Sequence, residues 1–245
     1  MSLAAFALLL SLQSGPNLPK DVAVVYAGIP ACKEARGAVR MQGLSVSATL
    51  DRENAAFELL CWFKNATAAD VPATLLLPVV AQNPVLGRGY DIRFDATWDK
   101  APAPVVPALT DQSVSDPELL VGTKNKVPYA RRERTHGIRV VFKANATHAL
   151  RLRWQTPIGK GGLDGMLRYV VFDTAGAADW GPIPQFNFAI RYTSAVVFQT
   201  YEAKPAWGWQ IGPRGAFFKR TDFQPGPDGL VRFAYYPGGY DRIGE

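Results

Sequence analysis

Four basic side chains in the middle of the sequence are its strongest candidate for binding chemistry. Two predicted strands flank the turn sequence Ala-Asn-Ala-Thr-His and carry these side chains at alternating positions, which would direct them to one face of a single hairpin. They are Arg139, Lys143, Arg151 and Arg153. Like charges that face each other across strands destabilise a sheet by about 0.2–1 kcal/mol per pair. We therefore expect acidic partners from a neighbouring strand, or an anionic ligand, to offset the repulsion.

The composition agrees with anionic surroundings. The chain has 245 residues, with 27 Lys and Arg against 21 Asp and Glu, and a net charge of +6. Such an excess favours acidic glycans, phosphate-rich envelope components or nucleic acid. Nucleic acid is the least expected partner, because no nucleic-acid module is recognisable. An anionic glycan, another envelope component or a protein partner fits better, and a solvated face with local acidic partners is the alternative.

Tryptophans are the second candidate for binding. Trp207 and Trp209 lie in the loop-like sequence Pro-Ala-Trp-Gly-Trp-Gln, and Trp180 precedes Gly-Pro-Ile-Pro. Exposed Trp faces stack on pyranose rings in sugar-binding sandwiches, so these three residues are candidates for sugar stacking. The alternative is packing between sheets, which aromatic side chains dominate in any sandwich. For Trp180 the simplest interpretation is a plug over the end of the sandwich.

Sequence motifs for catalysis or metal binding are missing. The sequence has no nucleophile elbow, no H-E-x-x-H and no phosphate-binding loop, since Gly161 follows Lys160 where that loop needs Ser or Thr. Its two histidines, His136 and His148, have no partner nearby in sequence, and no C-x-x-C occurs. We expect no cofactor and no metal, and we favour a non-catalytic protein. Catalytic groups assembled from distant positions remain an alternative.

The N-terminus and the cysteines suggest an exported protein. An apolar run from Leu3 to Leu12 has the length of a signal-peptide core and is too short to span a bilayer. We predict a cleaved signal over residues 1–19 and a periplasmic, cell-envelope or extracellular location; a buried first strand or a retained anchor are the alternatives. No later segment is apolar enough to cross a membrane. In such a protein Cys32 and Cys61 would form a disulfide, or else remain two buried free thiols.

The segments that carry these residues have the sequence pattern of β-strands. Apolar residues alternate with Ser and Thr from Leu44 to Leu50, and with Asn187, Ala189 and Arg191 from Phe186 to Tyr192. Turn sequences recur between such segments. Many short strands without βαβ alternation predict an all-β fold, an antiparallel β-sandwich. We predict two sandwich-like domains, over 20–110 and 138–245, joined by a connecting segment over 111–137. The segment Ser115–Gly122 is predicted to form one helical turn.

Two segments resemble certain exported bacterial proteins of unknown function. The first runs as a strand, an F-x-N element with an acid, and an apolar strand that ends at proline; its residues here are Phe63, Asn65, Thr67, Asp70 and Pro78. The second is a W-G-P-I step before an alternating strand, here Gly176, Trp180, Gly181, Pro182 and Ile183. The resemblance implies an all-β architecture, export and no assigned activity.

These observations predict an exported, non-catalytic binding or structural protein of the cell envelope. Its expected ligand is anionic and engages the basic hairpin. The alternative is a carbohydrate-binding module or a glycan-active enzyme that uses the C-terminal aromatic residues.

Overall fold

The computed structural model of the chain describes residue 18 and residues 22–83, 92–120, 128–161, 166–193, 198–206, 208–212, 215–224 and 229–237. Within these ranges almost all regular structure is strand, with one short 3-10 helix at Ala175–Asp179. The strands are β1 (Val24–Ala27), β2 (Val39–Leu50), β3 (Asn54–Asn65), β4 (Val71–Gln82), β5 (Asp95–Trp98), β6 (Ala101–Pro102), β7 (Val105–Leu120), β8 (Pro128–Phe142), β9 (Thr147–Pro157), β10 (Gly159–Gly161), β11 (Leu167–Asp173), β12 (Ile183–Tyr192), β13 (Phe198–Lys204), β14 (Gln210–Gly212), β15 (Gly215–Phe223) and β16 (Leu230–Pro237).

One layer of the fold is an eight-stranded sheet. Its strand order is β14-β15-β12-β2-β3-β9-β5-β6, and its neighbours are antiparallel except for β2 and β12. The hydroxyls of β2 alternate with buried apolar residues, so the pattern of Leu44 to Leu50 places one face towards the core and the other towards solvent.

The second layer consists of two four-stranded sheets, β1-β4-β8-β7 and β10-β11-β16-β13. Isolated bridges join them where β1 passes β10 and β11, between Ala23 and Lys160 and between Gly28 and Asp173. The second bridge requires glycine, because a Cβ at position 28 would lie 1.8 Å from the carbonyl oxygen of Asp173.

The two layers face each other across an aromatic core. Phe57 of β3 contacts Phe172 of β11, with ring centroids 6.3 Å apart, and Phe63 of β3 contacts Phe142 of β8 at 5.5 Å. A second buried cluster lies on the opposite face of β1, β11 and β16, and consists of Leu18, Val22, Val24, Tyr26, Val80, Leu167, Tyr169, Val171, Leu230 and Ala234. The predicted class, an all-β and mostly antiparallel sandwich, is confirmed.

The expected division into two domains is wrong. Strands β2 and β3 from the first half pair with β12 and β9 from the second half in the same sheet, and both halves contribute to one core. The predicted connecting segment 111–137 contains most of β7 and β8, which pair with each other. A proline within this segment does not exclude a strand, because β7 lies at the edge of its sheet, where the missing donor can face away from the neighbouring strand.

The helical turn expected at Ser115–Gly122 is also absent as far as Leu120, where the described part of this segment ends, because Ser115–Leu120 belongs to β7.

The predicted basic hairpin is likewise wrong. Strands β8 and β9 follow one another in the chain but belong to different sheets. The turn between them is a corner that joins the two layers, with Asn145 at a φ of 53°. Alternation looks the same for two strands of one hairpin and for two strands that face each other across a core, so it could not distinguish the two arrangements.

The predicted signal over residues 1–19 lies outside the described residues, apart from Leu18, which is buried in the second cluster. No helix in the described ranges has the length and apolar character needed to cross a membrane.

Candidate functional site

Three of the four predicted cations have acidic partners. Lys143 Nζ lies 2.8 Å from Asp70 Oδ2, and Arg151 and Arg153 both bind Glu58 Oε2, at 2.6 and 2.8 Å. Although partial burial alone would raise it, the pKa of Glu58 is lowered by the hydrogen bonds from Arg153 and Arg151. For these three side chains, local carboxylates offset the repulsion that the sequence predicted.

Arg139 is the exception among the four. It is exposed on β8 and forms no ion pair or hydrogen bond with another described residue. An open pocket of about 700 Å³ lies beside it at one end of the sandwich, and includes Glu34, Asp99 and Lys143 in its lining. Because the lining has two cations, Arg139 and Lys143, and two carboxylates, Glu34 and Asp99, this pocket has little net charge to attract an anion.

That pocket also contains a histidine paired with an acid, which is the arrangement of a general base. His148 Nδ1 lies 2.7 Å from Asp99 Oδ2, but its Nε2 accepts the backbone N–H of Lys143 at 2.8 Å. The ring stacks on Trp98, with centroids 5.1 Å apart and planes 12° from parallel. Since both ring nitrogens are occupied within the fold, the imidazole has no lone pair available to a substrate. The pair holds the corner between β8 and β9.

Trp180 and Trp209, the two predicted sugar-stacking tryptophans that the structure describes, are not placed to stack on a sugar ring. Trp180 is only 2% exposed, and its indole N–H donates to the carbonyl of Pro30 at 2.7 Å. Trp209 is half-buried against Phe218, with ring centroids 4.6 Å apart, and donates to the carbonyl of Pro205. Trp207 lies outside the described residues.

The predicted disulfide is not formed. Cys32 and Cys61 are both free and buried, Cys61 on the core side of β3 and Cys32 in the loop before β2. Burial raises the pKa of the Cys32 thiol to about 11 and that of Cys61 well above its usual range. Both are inert structural thiols at neutral pH. Within the described ranges, no three His, Cys, Asp or Glu side chains are grouped as a metal site would need.

The sequence prediction missed a groove of about 980 Å³ on the outer face of the eight-stranded sheet. Its floor consists of small polar or apolar side chains that point away from the core: Ser45 and Ser47 of β2, and Asn187 and Ala189 of β12. Phe217 of β15 and Ile211 of β14 flank this floor and are 49% and 52% exposed.

Two cations project into this groove. Arg191 of β12 and Lys219 of β15 are exposed, and neither forms an ion pair or hydrogen bond with another described residue. Of the described residues that line the groove, none is a carboxylate. The register places Lys219 opposite Asn187, and Arg191 beside Thr49 on the parallel strand β2.

A second depression, of about 680 Å³, continues the groove towards β5. It shares Ser47 and Arg191 with the first and is also lined by Glu58, Arg93, Asp95 and Arg153. One member of the predicted basic set, Arg153, therefore contributes to this face. Alternation predicted that Asn187, Ala189 and Arg191 share a face, but the sequence contains no local signal for the parallel pairing of β12 with β2 that brings them beside Ser47.

No family model and no curated protein sequence matches the chain. The fold is similar to the crystal structure of a protein from Legionella pneumophila described as a "putative nutrient binding protein", with a TM-score of 0.62, 12% identity, and coverage of 88% of this chain and 72% of that one.

An M1 zinc metallopeptidase from Deinococcus radiodurans matches with a TM-score of only 0.38 and 12% identity. The match covers 80% of this chain and 42% of the metallopeptidase, and at that score it supports no shared chemistry. The comparisons therefore identify a fold, the all-β sandwich shared with the Legionella protein.

Proposed function

We propose that the chain is an exported, non-catalytic binding protein of the cell envelope that binds an anionic ligand in the groove on the outer face of the eight-stranded sheet. One observation carries this proposal: Arg191 and Lys219 line the groove without acidic partners, and no described carboxylate lines it. By contrast, Arg151 and Arg153 of β9 on this sheet are both paired with Glu58.

The physical basis is the excess of positive charge in the groove. Two cations beside the exposed Phe217 create a positive potential that local groups do not cancel. An anion there would gain charge-assisted hydrogen bonds, and a carboxylate or phosphate would meet the planar guanidinium of Arg191 with two parallel bonds. The proposed anion site therefore lies on the outer sheet face and not on the hairpin that the sequence predicted.

A binding role without catalysis agrees with the other polar groups. His148 has both ring nitrogens engaged, and burial keeps the two cysteine thiols protonated. The Legionella protein of similar fold is described as nutrient binding, which supports a binding role for this chain.

Export rests on the apolar segment Leu3–Leu12. The resemblance to exported bacterial all-β proteins supports the same proposal. In its first segment, Asn65 and Asp70 bind the turn between β8 and β9, which is a structural role.

The test is a titration of isotope-labelled protein with sodium phosphate and with short polyphosphate, followed by two-dimensional NMR at two salt concentrations. We expect shifts at Arg191, Ser47 and Phe217, and we expect affinity to fall as salt rises, because exposed charges are screened. The Arg191→Gln variant should lose most of the binding. Shifts that cluster instead around Arg139 would contradict the proposal.

A further inference from the structure

We infer that the occupant of this groove is an acidic oligosaccharide, a chain of sugars that carries carboxylates and crosses the strands of the eight-stranded sheet. The inference rests on the proposed function and names the class of its ligand. Four features carry it: the length of the groove, the distribution of charge along it, the chemistry of its floor and an exposed aromatic wall.

The groove is longer than a small anion needs. The groove and the second depression that continues it meet at Ser47 and Arg191, and together they extend across β15, β12, β2, β3, β9 and β5. Six neighbouring strands span roughly 24 Å at the usual spacing between strands. A single phosphate or carboxylate would occupy one end, whereas a linear chain of several sugar rings would fill both depressions.

Charge is distributed unevenly along this length. The end at β15 and β12 carries Lys219 and Arg191 without a described carboxylate. The end at β9 and β5 mixes both signs, with Arg93 and Arg153 beside Glu58 and Asp95. Polyphosphate has no hydroxyl donors along its chain and would only be repelled by the two carboxylates, whereas the hydroxyls of an acidic sugar chain donate to carboxylates and accept from guanidinium groups.

The floor between the two ends can likewise both donate and accept hydrogen bonds. Ser45, Ser47 and Thr49 of β2 and Asn187 of β12 point outwards, and their side chains form no hydrogen bond with other described residues. Hydroxyl and amide groups both donate and accept, as sugar hydroxyls do. An extended peptide would gain less, because the face of a sheet presents no free backbone groups for β-pairing.

The fourth feature is an exposed aromatic wall, which suits the apolar face of a sugar ring. Phe217 lies opposite Ala189 and is 49% exposed, so the small side chain leaves the ring accessible above the floor. Trp62 of β3 lies on the same outer face, 41% exposed, with its ring against Gly43, where a Cβ would approach it to 3.3 Å. The apolar C–H face of a pyranose ring packs on such surfaces, whereas inorganic phosphate gains nothing from them. We therefore assign sugar stacking to Phe217 in place of the C-terminal tryptophans that the sequence suggested; Trp62 shares the outer face but lines neither depression.

Calorimetric titration with defined oligomers tests the inference. The probes are oligogalacturonates, oligomannuronates and oligoglucuronates of two, four and six units, neutral malto-oligosaccharides of the same lengths, and polyphosphate of matched charge. We expect the affinity of at least one uronate series to rise by about tenfold or more from two to six units, and we expect it to exceed that of the neutral sugars.

Two variants distinguish the binding of a sugar chain from the binding of a simple anion. Phe217→Ala should weaken the binding of the six-unit uronate by roughly tenfold and leave inorganic phosphate unchanged, since only the sugar stacks on the ring. Asp95→Asn, at an exposed position of β5, should weaken the uronate by a few fold and strengthen polyphosphate. Val141→Ala, at an exposed position on the other layer, is the control and should change neither.

The outcomes distinguish the two proposals. If phosphate or polyphosphate binds at Arg191 and none of the uronates does, the inference fails and the proposed function stands. If uronates bind with equal affinity at every length, or bind to Phe217→Ala as well as to wild type, the inference also fails. If no anion of either kind binds, both proposals fail.

Discussion

At the scale of single residues, the polar groups that attract attention in the sequence turn out to have structural roles. Asn65 heads an Asn-x-Thr sequon, yet it is fully buried, and its amide donates to the carbonyls of Ala69, Phe142 and Lys143. Its side-chain oxygen accepts from Thr67. This one side chain therefore ties the β3–β4 turn to the corner after β8.

Replacing Asn65 with Ala should lower the free energy of unfolding by about 2–4 kcal/mol, because the buried carbonyl of Phe142 and the half-buried carbonyls of Ala69 and Lys143 lose their donor. Urea unfolding followed by circular dichroism measures the change. Asn145→Gly is the matched control: Asn145 is exposed with a φ of 53°, a conformation that glycine adopts freely, so its loss should stay within about 0.5 kcal/mol. Equal losses in the two variants would contradict the role given to Asn65.

Asp173 makes stability depend on pH. Burial raises its pKa to about 6, although the N–H of Ala175 donates to it, and the nearby Glu133 raises the pKa further while Arg131 lowers it. The folded state therefore binds more protons than the unfolded state between pH 4 and 6, and this group's contribution to stability falls as pH rises through that window.

The Asp173→Asn variant should lack this loss. It keeps an acceptor for Ala175, so its free energy of unfolding should exceed that of wild type by about 1–2 kcal/mol at pH 7, with the difference vanishing towards pH 4. Urea unfolding at four pH values measures the difference. A difference that does not vary with pH would refute the assignment.

At the scale of elements, alternation in the sequence predicts which face of each strand is buried. For β2 and β12 it correctly separates Leu44 and Phe186 from Ser45 and Asn187. It does not predict which strands pair, because pairing depends on contacts between distant segments: β8 and β9 share one pattern and lie in different layers. The faces of the candidate groove were therefore predictable, and its assembly from β2, β12 and β15 was not.

The junction between the two four-stranded sheets depends on a close backbone approach. Gly28→Ala would place a Cβ 1.8 Å from the Asp173 carbonyl oxygen, so β1 and β11 must separate at that point. We expect a loss of more than about 2 kcal/mol in stability, measured by thermal unfolding. Gly212→Ala is the control, since nothing lies within 4 Å of a Cβ there. Unchanged stability in Gly28→Ala would show that the two sheets do not meet as described.

At the scale of the whole molecule, one core is shared by both halves of the chain. The β2–β12 and β3–β9 pairings cross the connecting segment that was predicted from the sequence at residues 111–137. We therefore predict a single cooperative unfolding transition, with coincident midpoints by circular dichroism and tryptophan fluorescence. A fragment of residues 138–245 should lack dispersed amide resonances. Two separate transitions, or a folded fragment, would contradict the single shared core and support a division into two domains.

The central claim, that the outer face of the eight-stranded sheet binds an anion at Arg191, is tested most directly by comparing two charge-removing variants. Arg191→Gln and Arg139→Gln each remove one exposed arginine that has no partner among the described residues, the first from the groove and the second from the other layer. Calorimetric titration of both with the tightest-binding anion should show a loss of tenfold or more for Arg191→Gln and no change for Arg139→Gln. A loss confined to Arg139→Gln would contradict the account and place the ligand at the end of the sandwich.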